Sequence, residues 1–397
     1  MVSEPKASRL IFLDNLKILF AILVVFQHVR VTYGMTGSWY YIESAPLDAF
    51  SIVFFYIVTS FGGMFQSSLL GLFFLMGGYF TPISYDRKGA RSFWKERLLR
   101  LGVPLLLYIF IVNPIISYSL FFFGLYAHPL PSDIIGFLTY FGPMWFLVVL
   151  LLFTAGYTIY RQLKKSRVVQ GQIHKEYSIP KYRYLLLFAI CLGIITFFIR
   201  ILSPIDQYPY GIPVANILQY VLMFSVGIIA FRHNWVQKMT KHHVKIWGIT
   251  IIVTILAFGL YFFLFLGVDA NFSVLLGGFT IPALLFAILD NILCMGMIFV
   301  LIKGFYAKFN KQGKILRNFA PNAFNIYLIH APILVLVAVA FSFVSLIPAI
   351  KLAIVFPLTV FICYLISHFI LEKIHLKKRN RDRYLSQNLV IDVPISP

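Results

Sequence analysis

Charged residues are scarce in this 397-residue chain, and acidic residues are the scarcest of them. Asp and Glu together number 14, Lys and Arg 34, and only 12% of all residues are charged, against roughly 25% in soluble globular proteins. Apolar residues make up 60% of the chain and aromatic residues 18%. This composition excludes a soluble globular enzyme and predicts an all-α, polytopic integral membrane helical bundle.

Cysteine is nearly absent as well. The three cysteines, Cys191, Cys294 and Cys363, all lie inside apolar runs. Neither a disulfide framework nor a metal motif can be built from them, so we expect packing residues and no metal cofactor. The net charge of +20 could suggest a nucleic-acid partner, but the basic residues are dispersed between apolar runs instead of forming one accessible patch, and we expect no nucleic acid to bind.

Apolar runs long enough to cross a bilayer, about 20 residues each, follow one another along the chain. Gly62 and Gly63 in the second run, and Gly277, Gly278 or Pro282 in the eighth, predict helices that are tilted or interrupted there. Ten runs are predicted, at residues 10–31, 51–80, 100–123, 135–160, 184–202, 212–231, 246–267, 276–302, 319–345 and 348–371.

The distribution of Lys and Arg predicts the orientation of these runs. All of them except Lys17, Arg30, Arg200 and Lys351 fall in alternate segments between runs, which is the pattern of cytoplasmic loops. The pattern predicts a multi-pass protein of the cell membrane with both termini in the cytoplasm.

The domain organisation predicted from this pattern is simple. The first run carries charges in its centre and no convincing cleavage site follows it, so we expect it to be retained and not removed as a signal peptide. Residues 1–372 then form one membrane domain. Residues 373–397 form a short basic cytoplasmic tail, which is too short to fold alone.

The segment from Arg9 to Arg30, RLIFLDNLKILFAILVVFQHVR, holds three polar groups where a plain membrane anchor has aliphatic residues. At about 100° per residue, Lys17 and His28 return to within about 20° of one helix face, and Asp14 lies about 40° from His28. Lys17 and His28 are separated by a rise of about 16 Å. Since an ionisable group in hydrocarbon costs on the order of 2.5–3.5 kcal/mol, this face is predicted to line a channel.

His28 is the predicted general base. An imidazole titrates near neutral pH, so it can take a proton from a hydroxyl group and return it. The alternative is a core histidine that forms a hydrogen bond with a neighbouring helix. The alignment of His28 with Asp14 and Lys17 favours the functional interpretation.

The basic run RKGARSFWKERLLR, from Arg87 to Arg100, lies between the second and third apolar runs. It is explained in part by the excess of basic residues in cytoplasmic loops. Arg97 and Arg100, however, are three residues apart and share a helical face at the start of a run. Two guanidinium groups there could bind phosphates at the cytoplasmic membrane surface.

Further polar and aromatic residues lie in the later runs. Tyr327 and His330 are one helical turn apart and, as substrate-binding candidates, could line a polar cavity, as could Asp290 and Asn291; interhelical hydrogen bonding is the alternative for each. Trp145 fits either an interfacial anchor or a wall of the substrate cavity.

Several of these stretches resemble one family, the membrane-bound acyltransferase 3 family of O-acyltransferases. LDNLKILFAILVVFQH resembles its first-helix signature, and FFLMGGYFTPISYDRKGARSFWKERLLRLGVPLLLY resembles its junction between the second and third helices. GPMWFLVVLLLF and NIYLIHAPIL resemble two later segments. The resemblance runs in the right order over nearly the whole chain, from about Arg9 to Leu371.

The resemblance implies roles for individual residues. The family's first helix has an Arg, ten intervening residues and a catalytic His; His28 takes the place of that His and Lys17 that of the Arg. Lysine keeps the charge but lacks the planar fork of a guanidinium. The family's Arg-x-x-Arg element falls on Arg97 and Arg100 and implies contact with the phosphates of a coenzyme A thioester. The Ser-Gly of many members is replaced here by two glycines, Gly77 and Gly78.

The function implied by the resemblance is transfer of an acyl group, most often acetyl, from cytoplasmic acyl-CoA to a hydroxyl of an extracytoplasmic glycan or similar acceptor. Acyl-CoA would bind at Lys17, Arg97 and Arg100, and His28 would take the hydroxyl proton, with Asp14 or another carboxylate fixing its tautomer or charge. A transporter for a saccharide or lipid-linked substrate is the main alternative, and a scaffold in an envelope assembly is a third. The acyl chain length and the oligomeric state, including a homo-oligomer, stay open.

Overall fold

The computed structural model describes residues 11–34, 39–43, 48–125, 127, 133–165, 176–265 and 273–371. Helices and their connections make up these residues, and no β-strand occurs among them. The all-α prediction is therefore confirmed. The predicted cytoplasmic tail, 373–397, lies outside the described residues.

The helices are numbered here in chain order. Wider helical turns at Leu98–Gly102, Tyr108–Val112 and Ser367–Leu371 continue the helices that precede them. The helices are α1 Ile11–Gly34, α2 Ala49–Arg97, α3 Val103–Leu107, α4 Asn113–Phe122, α5 Ile134–Thr139, α6 Trp145–Lys165, α7 Tyr182–Leu202, α8 Ile217–Arg232, α9 Trp235–Lys238, α10 Lys241–Phe265, α11 Ser273–Leu276, α12 Ile281–Lys308, α13 Lys314–Phe319, α14 Ala323–Ser342 and α15 Pro348–Ile366.

Within the described ranges, nine helical runs are long and apolar enough to cross a membrane. One of them, Ser68–Phe122, has 55 residues, far more than the roughly 20 that a single crossing needs. It contains parts of both the second and the third predicted runs, which accounts for nine runs where ten were predicted. Gly89 divides it, since the backbone there has φ 72° and ψ 166° and leaves the helical conformation. The helix is not interrupted at Gly62 and Gly63, because α2 continues through both residues.

We expect Gly89→Ala to destabilise the protein. The backbone of Gly89 lies in a region that is open essentially to glycine alone, and a side chain there costs about 1–3 kcal/mol. A Cβ atom at Gly89 would meet no other atom within 4 Å, so backbone strain alone accounts for the loss. Thermal denaturation in detergent measures it. Gly156→Ala is the matched control, because Gly156 lies within α6 and also has open space around it; this variant should be as stable as wild type or more stable.

Two glycines allow α2 and α8 to pack with their backbones in contact. A Cβ atom at Gly78 would lie 1.9 Å from the carbonyl oxygen of Phe224, and one at Gly227 would lie 2.0 Å from that of Leu75. Any larger residue at either position would force the helices apart. The second glycine of the Gly77–Gly78 pair therefore has a packing role.

The helix α1 lies inside the bundle, in contact with α2, α12, α14 and α15. This placement removes its polar side chains from lipid, as the predicted channel wall requires. The four cations that fall outside the predicted cytoplasmic segments all have polar partners. These are Lys17 with Asp14 at 3.2 Å, Arg30 with Gln27 at 2.9 Å, Arg200 with Asp290 at 2.7 Å, and Lys351 with Glu43 at 2.6 Å.

Candidate active site

A cavity of about 1540 Å³ runs through the bundle alongside α1. Asp14, Lys17 and His28 all line it. Lys17 and His28 are eleven residues apart on one helix, so the cavity extends at least about 16 Å along the helix axis. The polar face predicted from the spacing in α1 thus opens on one continuous space.

A cluster of cations surrounds one end of the cavity. Lys17, Arg97 and Arg100 line this end, and so do Arg87 and Lys88. Arg97 is the last residue of α2 and Arg100 lies in the turn that follows, so the three-residue spacing brings both guanidinium groups to the same wall. This concentration of positive charge could bind a polyanion such as a phosphate group.

Each predicted donor-binding cation has neighbours that orient it. The Lys17 ammonium group lies 4.5 Å from the ring centre of Phe80. Arg97 donates a hydrogen bond from Nη2 to Thr81 Oγ1 at 2.8 Å. The guanidinium group of Arg100 is 5.3 Å from the ring of Phe324. Arg97 is partly buried, whereas Lys17 and Arg100 are exposed.

His28 lies towards the other end of the cavity, among aromatic rings. Its imidazole stacks on the indole of Trp39 at 4.0 Å between ring centres, with 22° between the planes. The imidazole of His330 stacks at 5.1 Å and 25°. Trp39 was not predicted as a site residue from the sequence, because it lies in a short connection between two apolar runs, where a tryptophan is an ordinary interfacial residue.

Asp14 does not lie near His28. The two residues are fourteen positions apart on one helix, a rise of about 21 Å, and Asp14 forms its ion pair with Lys17 at 3.2 Å. The prediction that Asp14 orients the His28 imidazole is therefore inconsistent with the geometry. Sharing a helix face does not bring two groups into contact when four turns separate them.

The predicted substrate-binding residues are divided between the cavity and the core. Trp145 and Tyr327 both line the cavity, and the Tyr327 hydroxyl donates a hydrogen bond to the carbonyl oxygen of Pro143 at 2.7 Å. His330 is fully buried and donates from Nδ1 to the carbonyl oxygen of Tyr327. Among the described residues His330 does not line the cavity, although its ring stacks on that of His28.

A second polar cluster lines the same cavity, formed by Arg200, Asn216 and Asp290. Nη2 of Arg200 donates to Asn216 Oδ1 at 2.6 Å and to Asp290 Oδ2 at 2.7 Å. Arg200 is 1% exposed and Asp290 is also 1% exposed. Asn291 accepts a hydrogen bond from Gln219 Nε2 at 3.0 Å, which agrees with the interhelical alternative. Of the pair Asp290 and Asn291, only Asp290 reaches the cavity among the described residues.

A metal site is not formed by the part of the chain that the structure describes. No group of three or more His, Cys, Asp or Glu side chains there is arranged to hold an ion. What the cavity presents is a basic end, an imidazole, and walls of aromatic and amide side chains.

These features define a polytopic membrane protein with a polar cavity inside its helical bundle, and cations line one end of that cavity. The chain belongs to the acyltransferase 3 family: the family model, described as an acyltransferase domain, matches residues 10–368.

The similarity to individual curated proteins is low. Glucans biosynthesis protein C of Escherichia coli K12 is 24% identical over 242 residues, which cover 57% of this chain and 59% of the relative. The same figures hold for the proteins of that name in Escherichia coli O157:H7 and Escherichia coli SMS-3-5 / SECEC. The chain thus spans less than two thirds of the length of these relatives. No solved structure gives a significant match.

Proposed function

We propose that this protein transfers an acyl group, acetyl in the simplest case, from cytoplasmic acyl-CoA to a hydroxyl of an extracytoplasmic glycan or similar acceptor. The main support for this proposal is the cavity, which connects Lys17, Arg97 and Arg100 at one end with His28 towards the other. A donor held by its phosphates at the basic end could place its thioester near the imidazole. The name of the relatives, glucans biosynthesis protein C, is in keeping with a glycan acceptor.

The proposed chemistry uses His28 as general base. His28 takes the proton of the acceptor hydroxyl while the oxygen attacks the thioester carbonyl carbon. The new carbon–oxygen bond forms, the carbon–sulfur bond breaks, and the proton passes from His28 to the departing CoA thiolate. A route through an acyl-histidine, in which His28 itself attacks the thioester first, uses the same groups. The cavity contributes by holding the reacting groups together.

Binding of CoA tests the donor half of this proposal. We expect acetyl-CoA and CoA to raise the melting temperature of the detergent-purified protein, and the Arg97→Ala/Arg100→Ala variant to lose most of this stabilisation, because both guanidinium groups line the basic end. Thermal shift over a range of ligand concentrations up to the millimolar measures the effect.

The matched control is Arg91→Ala/Lys95→Ala. It removes two cations from the same segment, and both are exposed and absent from the cavity wall, so CoA should stabilise this variant as it does the wild type. Equal loss in both double variants would mean that CoA senses only the overall charge of the segment. No stabilisation of folded wild-type protein at millimolar CoA would exclude the acyl-CoA donor.

A transporter for a saccharide or lipid-linked substrate is the second candidate, since a cavity along a membrane helix also suits a permeation path. A transporter has no need for an arginine site that recognises CoA phosphates. Stabilisation by CoA that depends on Arg97 and Arg100 therefore counts against it, and movement of substrate without acyl transfer counts for it.

A further inference from the structure

We infer that the segment from Trp39 to Glu43 positions the His28 imidazole for proton transfer, and that Lys351 anchors this segment from α15. The inference rests on the proposed function, since it concerns the orientation of the general base. In this role Trp39 is a positioning residue that acts through His28.

The contact between Trp39 and His28 is close and nearly flat. The ring centres are 4.0 Å apart with 22° between the planes, and Trp39 is only 4% exposed. An imidazole with a free face can rotate about its side-chain bonds, and a base whose nitrogen points away from the acceptor proton cannot catalyse. The His28 imidazole stacks on the indole and also on the ring of His330 at 5.1 Å. These two contacts limit its rotation. The stacked rings thus provide the orientation that was predicted for Asp14.

The residue after Trp39 fixes the segment to the helix that begins at Asn113. The Tyr40 hydroxyl donates to Asn113 Oδ1 at 2.6 Å and lies 3.0 Å from the Tyr108 hydroxyl. The Tyr40 carbonyl oxygen accepts from the backbone N–H of Ala127 at 3.1 Å. With Tyr40 held at both its side chain and its backbone, the neighbouring Trp39 has little freedom to leave His28.

The other end of the segment is fixed by a buried ion pair. Lys351 Nζ lies 2.6 Å from Glu43 Oε1, and the two residues are 3% and 7% exposed. Burying two charges is costly, and apolar residues would hold the segment against α15 as well. The ion pair differs from apolar packing in that it specifies one position for Glu43, and hence for the segment.

The same segment is also tied to the helical turn that follows His28. The backbone N–H of Glu43 donates to the Thr32 carbonyl oxygen at 2.9 Å. The Thr32 hydroxyl in turn donates to the His28 carbonyl oxygen at 3.0 Å. A chain of direct contacts therefore runs from Lys351 through Glu43 to the backbone that carries His28, and the indole of Trp39 closes it at the imidazole.

The test measures transfer of label from radiolabelled acetyl-CoA to endogenous acceptors in membranes that contain the protein. We expect Trp39→Leu to lower kcat by at least about 10-fold with the KM for acetyl-CoA unchanged, because the reacting groups bind normally but the base is misoriented. Trp39→Phe, which keeps an aromatic face, should retain most of the activity. Glu43→Gln should lower kcat in the same way as Trp39→Leu but by a smaller factor, since an amide oxygen can still accept from Lys351.

Trp247→Leu is the matched control. Trp247 is fully buried, stacks on Phe299 at 5.4 Å between ring centres, and does not line the cavity. This variant should lose thermal stability but keep its kcat per folded protein, which separates positioning from general packing.

Two outcomes overturn the inference. If the wild type transfers label and both Trp39→Leu and Glu43→Gln keep its kcat, the segment does not position His28, and the proposed function stands. If the folded wild type transfers no label from acetyl-CoA, the proposed acetyl transfer fails and the inference fails with it.

Discussion

Replacing His28 by alanine is expected to lower the rate of acyl transfer by at least about 100-fold, the lower bound of what a positioned general base contributes. The imidazole lines the cavity, and its removal leaves the acceptor hydroxyl without a group to take its proton. CoA binding should persist, because His28 lies about 16 Å along α1 from Lys17 and the basic end. The rate of label transfer from acetyl-CoA and the thermal shift with CoA measure the two effects separately.

The control for this variant is His243→Ala. His243 lies on α10, bonds Thr240, and is not among the residues that line the cavity in the described structure, so its loss should leave the rate unchanged. A His28→Ala protein that keeps more than a tenth of the wild-type rate would contradict the assignment of His28 as the general base.

Replacing Arg200 by methionine is expected to destabilise the protein by about 3–5 kcal/mol. Arg200 and Asp290 form an ion pair at 2.7 Å with side chains 1% and 2% exposed, and the substitution removes the cation that faces this buried carboxylate. The apparent melting temperature in detergent, together with denaturant unfolding, measures the loss.

The double variant Arg200→Met/Asp290→Leu should recover most of that stability, because neither charge is then buried alone. Lys238→Met is the contrasting variant and should cost much less stability. It breaks an ion pair with Glu176 that lies outside the core, where solvent screens the charges. If the single and double variants at Arg200 and Asp290 have the same melting temperature, the charge that remains at Asp290 is not the cause of the loss.

The fold could be predicted largely from composition and run length, because an apolar helix of sufficient length has few alternatives in a membrane. The position of the helix break was harder to predict from the sequence. Gly62 and Gly63 were candidates for an interruption, yet α2 continues through them and breaks at Gly89. Glycine tolerates helical and non-helical backbone alike, so the tertiary contacts decide which glycine is used.

Residues of the site could be predicted from the sequence only where a local pattern, such as a helical spacing, identifies them. The spacing of Lys17 and His28 on one helix, and of Arg97 and Arg100 on another, identified four residues that line one cavity. Trp39 and Arg200 could not be placed in the same way, since each meets its partner through contacts between segments distant in the chain. Asp14 shows the converse, because periodicity fixes the direction of a side chain and not its distance from a partner.

The single helix α1 also sets a length requirement for the donor. Lys17 and His28 are fixed about 16 Å apart by helix geometry, and no loop lies between them to shorten this distance. On the proposed function, a donor must therefore carry its acyl group on an arm that spans this distance from its phosphates. A long flexible pantetheine arm meets this requirement, whereas a small acyl phosphate cannot occupy both ends at once. On the proposed function, the distance along α1 thus selects donors whose arm is long enough to span it.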